Sequence, residues 1–167
     1  MPIQLTEDVA IGEIRISANK AMMFTIPSLS SAIAVVMYDK KSVIGGVAHI
    51  LLPDSTQVGL VEEDAIGKYA DTAIPALLEK LAEGGADRAQ ISARIAGGAQ
   101  LFNFGGGAAN SLNIGTRNAV AIRAALSREG VTMEKADVGG NKGRKLKFHI
   151  GLGKLLITVA GQEEYEI

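Results

Sequence analysis

The sequence contains no cysteine and no tryptophan. Without thiols, disulfides, thiolate metal sites, iron–sulfur clusters and cysteine nucleophiles are all excluded. Aromatic residues are sparse, at three Tyr and four Phe. A basic surplus is missing too: 17 Lys and Arg stand against 18 Asp and Glu, a net charge of −1. A duplex-binding domain ordinarily clusters a basic excess on one face, so no nucleic-acid partner is expected. The densest basic run, Lys142 to Lys147, alternates from Lys145 onward like the wet face of a strand. The longest apolar run, Ala32 to Tyr38, has seven residues, far short of the roughly 20 that a membrane helix needs. No membrane insertion is expected. The N-terminal segment lacks the basic and apolar regions of a secretory signal, so the expected location is the cytoplasm.

What is present describes a folded chain. Of 167 residues, 47% are hydrophobic and 21% charged, which excludes disorder. No linker or repeat divides the sequence, and residues 1–167 are expected to form a single domain with a sizeable core.

Val9 to Ser17 and Ala21 to Ile26 read as strands, with Pro27 interrupting the second. Ala32 to Tyr38 is continuously apolar, as in a strand buried on both faces. Asp39-Lys40-Lys41 is a polar turn, and Ser42 to Leu52 completes a hairpin. Tyr69, Ala73, Ala76, Leu77 and Leu81 recur at helical spacing, and Gly84-Gly85 stops that helix. Ile91, Ala93 and Ile95 alternate as a strand, followed by glycine loops at Gly97-Gly98 and Gly105 to Gly107. Asn113 to Glu129 is a second helix with Ile114, Ala121, Ile122, Ala125 and Leu126 inward. Strands follow at Thr132 to Val138, Leu146 to Ile150 and Lys154 to Val159. The expected fold is an α/β (α+β) layered sandwich, a mixed β-sheet core with two main helices.

Few residues offer chemistry. The Gly105-Gly106-Gly107 segment lacks the third glycine of a dinucleotide loop, and no Gly-Lys-Ser/Thr element marks a P-loop. The two histidines lack metal-binding spacing, so neither a cofactor nor a metal is expected. His149 lies on the polar face of an alternating strand and reads as solvated. His49 sits in Gly45-Gly46-Val47-Ala48-His49-Ile50-Leu51-Leu52-Pro53, with almost no other polar side chain nearby in sequence. It reads either as a satisfied core histidine or as a base. The hydroxyl-rich stretch Thr25-Ile26-Pro27-Ser28-Leu29-Ser30-Ser31 leads into the partner strand and is either a source of a nucleophile or a plain serine-rich turn.

Several segments in order resemble the CheD family of chemoreceptor glutamine deamidases. They are Ala34 to Asp39, Ile44 to Ser55, Lys68 to Ala73, Ile95 to Ala99, Asn113 to Asn118, and Gly139-Gly140-Asn141 with Arg144. The resemblance covers nearly the whole chain. It implies an α/β sandwich similar to certain deamidating toxins. It implies a reaction in which a cysteine thiolate attacks a receptor Gln carboxamide, ammonia leaves, and water releases Glu. A histidine is the base there and a threonine supports it. Implied partners are a chemoreceptor (a methyl-accepting chemotaxis protein) and a CheC-type phosphatase.

Carried over, the base falls on His49 and the nucleophile on Ala32. The threonine falls on Ile26, with Thr25 one residue off register. Three explanations stand for the missing thiol: an engineered Cys→Ala replacement, a relocated hydroxyl at Ser30 or Ser31, or an inactive member that keeps the fold and its binding surface. Strand alternation favours Ser30 over Ser31 if Ala32 faces His49.

Overall fold

The computed structural model describes residues 3–56, 58–101 and 113–167. Among these residues, ten strands and two α-helices follow one another along the chain: β1 (Leu5–Asp8), β2 (Ile14–Ser17), β3 (Met22–Leu29), β4 (Ile33–Asp39), β5 (Ile44–Ile50), α1 (Ala70–Glu83), β6 (Ile91–Gly97), α2 (Ile114–Arg128), β7 (Thr132–Val138), β8 (Arg144–His149), β9 (Lys154–Val159) and β10 (Tyr165–Glu166). They form two mixed five-stranded sheets, ordered β1-β3-β8-β9-β10 and β2-β5-β4-β6-β7. The expected α+β sandwich is what forms, with its sheet core doubled.

The second sheet is the middle layer. All seven residues of β4 and all seven of β5 are buried, and the pleat sends alternate side chains to different partners. Ile33, Val35, Met37, Ala48 and Ile50 join a cluster with Ala73, Ile74, Leu77, Leu78, Leu81 and Ile122 of the helices. Ala34, Val36, Tyr38 and Val47 join the inter-sheet cluster with Phe24, Ile26, Leu146 and Phe148. Each fully buried Val, Leu, Ile or Phe contributes roughly 1.5–3 kcal/mol, so both faces of this hairpin anchor the fold. Its turn is fixed by Asp39, whose carboxylate accepts from the N–H groups of Lys41, Ser42 and Asp87. Burial would raise that carboxyl, yet those donors hold it below the usual carboxylate range.

Some boundaries differ from the sequence reading. Val9 to Ser17 is not one strand. β1 ends at Asp8, and a turn through Ile11 and Gly12 sends the chain to the other sheet as β2. The apolar residues suggested continuity, but Gly12 adopts φ 83° and breaks it. Pro27 does not end β3: the strand runs to Leu29 with a register shift between Ile26 and Leu29, the setting in which a strand accommodates proline. Tyr69 is the N-cap of α1, and Ala76 is half-buried while Ile74 and Leu78 fill the core. In α2, Ile114 and Ala121 are half-buried, and Asn118 is fully buried in their place. α2 approaches β6 closely, since a Cβ on Gly115 would collide with the Gly98 carbonyl. The predicted Gly105 to Gly107 loop lies outside the described residues.

Candidate functional site

β5 carries the histidine. Gly45, Val47 and His49 share one face of that strand: a Cβ at Gly45 would meet Tyr38 and Phe148, and Val47 lies in the inter-sheet cluster. His49 therefore points between the sheets, where it is 3% exposed. Its backbone continues the pairing with the chain entering β2, donating from N to the Glu13 carbonyl at 3.1 Å and accepting from Gly12 N at 2.8 Å.

The ring is oriented by one bond. Nδ1 lies 3.0 Å from the Val9 carbonyl oxygen. A carbonyl can only accept, so Nδ1 carries the proton and Nε2 presents a lone pair. Nε2 is buried and has no hydrogen-bond partner among the described residues. Burial pushes the pKa of His49 below its ordinary value, against the opposing pull of the Val9 carbonyl and the Glu13 charge. The imidazole is thus neutral at neutral pH, with its basic nitrogen free. That is the form a general base requires.

Position 32 meets this face. Ala34 lies directly opposite His49 in the β4–β5 ladder. Ala32, two residues earlier and 4% exposed, belongs to the inter-sheet cluster toward which His49 points. A methyl group offers no nucleophile and no hydrogen bond to Nε2.

The other candidates fall elsewhere. Thr25 donates its hydroxyl to Asp8, while its neighbours Phe24 and Ile26 face the inter-sheet core. It touches the site only through backbone, because Val9 N donates to the Thr25 carbonyl at 2.9 Å and the Val9 carbonyl holds His49. Ile26 is the residue of that pair that faces inward. Ser30, Ser31 and Ala32 form a bend before β4, so strand alternation does not decide between the two serines. Neither hydroxyl bonds His49 Nε2. His149 is half-buried at the end of β8, opposite Met23 and Lys154, and does not join His49.

Three supports carried no clear catalytic signal in the sequence. The Val9 carbonyl is backbone and left no trace. Arg144, 8% exposed, donates to the carbonyls of Gly97 at 3.3 Å, Gly139 at 3.0 Å and Lys142 at 3.4 Å, and pairs with Asp137 at 3.4 Å. It thereby holds the loop from which Gly98 N donates to the Ala32 carbonyl at 3.0 Å. Asn118 donates to the Ser31 and Leu51 carbonyls. Both polar residues stand in segments that the sequence flags only as familiar. No group of three or more His, Asp or Glu suited to a metal occurs among the described residues, and no helix there is long and apolar enough to cross a membrane. A cavity of about 280 Å³ between α2 and β7 contains none of these site residues.

The family described as CheD chemotactic sensory transduction matches residues 51–159, more than half of the chain. The chain is 39% identical over 160 residues to the chemoreceptor glutamine deamidase CheD of Thermotoga maritima, covering 95% of this chain and 96% of that protein. It is 35% identical over 161 residues to the probable chemoreceptor glutamine deamidase CheD of Symbiobacterium thermophilum, covering 96% of each. The corresponding protein of Clostridium botulinum is 38% identical over 159 residues, with 95% and 96% covered.

Proposed function

The chain belongs to the CheD family, and from that premise we propose that it is a chemotaxis protein that engages chemoreceptors without deamidating their glutamines. The relatives are named as chemoreceptor glutamine deamidases, which supports a receptor as the partner. In the family reaction a nucleophile adds to the carboxamide carbon, ammonia departs with a proton, and water releases the acid. The base takes the nucleophile's proton and passes it to the departing ammonia, but the nucleophile makes the bond.

One observation carries the proposal. A correctly oriented neutral base faces the inter-sheet space, and Ala32, on which the family resemblance places the nucleophile, lies in the cluster that fills that space. With a methyl there, only positioning and electrostatic stabilisation remain, a small residue of the full rate. What remains is an intact sandwich surface for binding, either to a receptor or to a CheC-type phosphatase.

Mass spectrometry of a chemoreceptor cytoplasmic fragment incubated with the chain tests this. The expected result is a measurable complex and no conversion of Gln to Glu. Conversion that vanishes in both Ser30→Ala and His49→Ala would overturn the proposal and identify Ser30 as a nucleophile. Absence of a complex with either the receptor fragment or a CheC-type phosphatase at micromolar concentration would also overturn it.

A further inference from the structure

The β4–β5 ladder ends in a fork. Its last paired residues are Ile33 and Ile50. Beyond them the two strands part company. Leu51 N and Leu52 N both donate to the Lys68 carbonyl at 2.9 Å, drawing the end of β5 toward α1. On the other branch, Ala99 N donates to the Ser30 carbonyl at 2.8 Å and Gly98 N to the Ala32 carbonyl at 3.0 Å, drawing the start of β4 toward the loop after β6. Position 32 lies on one branch of this fork, and His49 lies just inside the other.

Asn118 fills the fork. It projects from α2 and is 0% exposed. Its Nδ2 donates to the Ser31 carbonyl and to the Leu51 carbonyl, each at 3.0 Å. Both amide protons are therefore spent on the two branches, in place of the missing rung of the ladder. Its Oδ1 is buried without a partner among the described residues. A leucine, branched at the same atom, would carry no such unsatisfied acceptor, so the position trades an apolar fit for two donors aimed at the two branches.

We propose that Asn118 is a positioning residue that sets the distance between position 32 and His49 by bridging the Ser31 and Leu51 carbonyls. The inference rests on the reading that positions 32 and 49 form the site. It extends that reading to a third residue, on another element, that touches neither reacting atom. Regular pairing ends before position 32, so nothing in the ladder itself fixes how far that residue stands from the base.

The test uses the full-length chain with Ala32→Cys and follows the rate of alkylation by iodoacetamide against pH. A thiol beside His49 Nε2 forms its thiolate more readily, and its inflection is expected at least about one pH unit below the ordinary thiol value of about 8.5. That depression is expected to vanish when His49→Ala is added. An ordinary inflection with Ala32→Cys alone would show that positions 32 and 49 do not pair, overturning the reading and the inference with it. When the depression is present, adding Asn118→Leu is expected to return the inflection to the ordinary value while the near-ultraviolet circular dichroism of the fold is kept. An inflection that stays depressed in that variant would overturn the inference and leave the pair standing. If Asn118→Leu does not fold, Asn118→Ser, which keeps one donor for two carbonyls, is expected to give an intermediate inflection, and an unmoved one would overturn the inference.

Discussion

His49 is delivered by a strand whose seven residues are all buried and which is paired on both edges, to β2 and to β4. Position 32 sits in a short bend between two sheets, reached through a strand whose register slips at the exposed Pro27 and Ser28. The two halves of the proposed site thus rest on unlike supports. The base half is fixed by the same packing that holds the fold together, so it cannot change without loss of the core. The half at position 32 hangs from bonds to the Gly98–Ala99 loop and to Asn118 of α2, with Arg144 behind that loop. Substitutions there can be absorbed without loss of the core, in the segment that carries Pro27, Ser28, Ser30 and Ala32.

The sharpest way to break this contrast is to crowd the base strand. A Cβ at Gly46 would lie 2.7 Å from Ile16 Cγ2, 2.8 Å from the Arg15 carbonyl oxygen and 2.9 Å from Leu77 Cδ1. One of those atoms is backbone of the neighbouring strand and cannot swing away. Gly46→Val is expected to cost about 3 kcal/mol or more, read as a large fall in the urea midpoint or as failure to fold. A midpoint within experimental error of the parent would refute the claim that β5 admits no rewriting.

Arg144→Met addresses the loop support. It removes donors from the carbonyls of Gly97, Gly139 and Lys142 and the cation from Asp137. Leaving such partners unsatisfied costs about 2–3 kcal/mol, less than the crowding of β5 because the loops can relax toward water. Hydrogen exchange is expected to rise first at Gly98 and Ala99, with β5 amides still protected. Equal loss of protection in β5 would mean that the two halves are not separable.

How far this was legible from sequence follows the same division. The β4–β5 hairpin could be read directly, because a continuous apolar run on either side of Asp39-Lys40-Lys41 has few other folded forms. α1 and α2 could be read from their spacing and their glycine stops. His49 stood out as the polar residue of an apolar strand, and the resemblance gave it a role. The split of Val9 to Ser17 was hidden because Gly12 reverses the chain without interrupting the apolar pattern enough to show it. The tautomer of His49 was hidden because its determinant is a backbone carbonyl. Thr25 stands one residue off the register of the implied threonine, and one step along a strand changes the face: it reaches Asp8 on one side while Ile26 occupies the other.

The base half also makes a pH prediction. The native state keeps His49 neutral, with a pKa below the ordinary histidine value of 6.5. The unfolded chain takes up a proton near that ordinary value, and the folded chain does so only at lower pH. Between the two, unfolding is favoured by protonation, so stability falls as pH drops below 6.5 and is unaffected by this group above it. The slope for one proton is at most about 1.4 kcal/mol per pH unit. His49→Leu, which removes the titrating ring, is expected to flatten the stability profile over this window. An unchanged profile would mean that the ring titrates normally, contrary to its burial and its bond to Val9.

The smallest effect belongs to the half around position 32. Ser28 is exposed and lies in the register shift of β3, where it faces no core cluster. Ser28→Val introduces a larger, β-branched side chain, comparable in kind to the change at Gly46, yet it meets solvent instead of a packed strand. Its effect on stability is expected to stay within about 0.5 kcal/mol. The pair of valine substitutions then measures the asymmetry directly, since one residue type is added to each half and only the surroundings differ. A cost at Ser28 approaching that at Gly46 would show that the bulged strand is as constrained as β5, and that the two halves do not differ in what they can absorb.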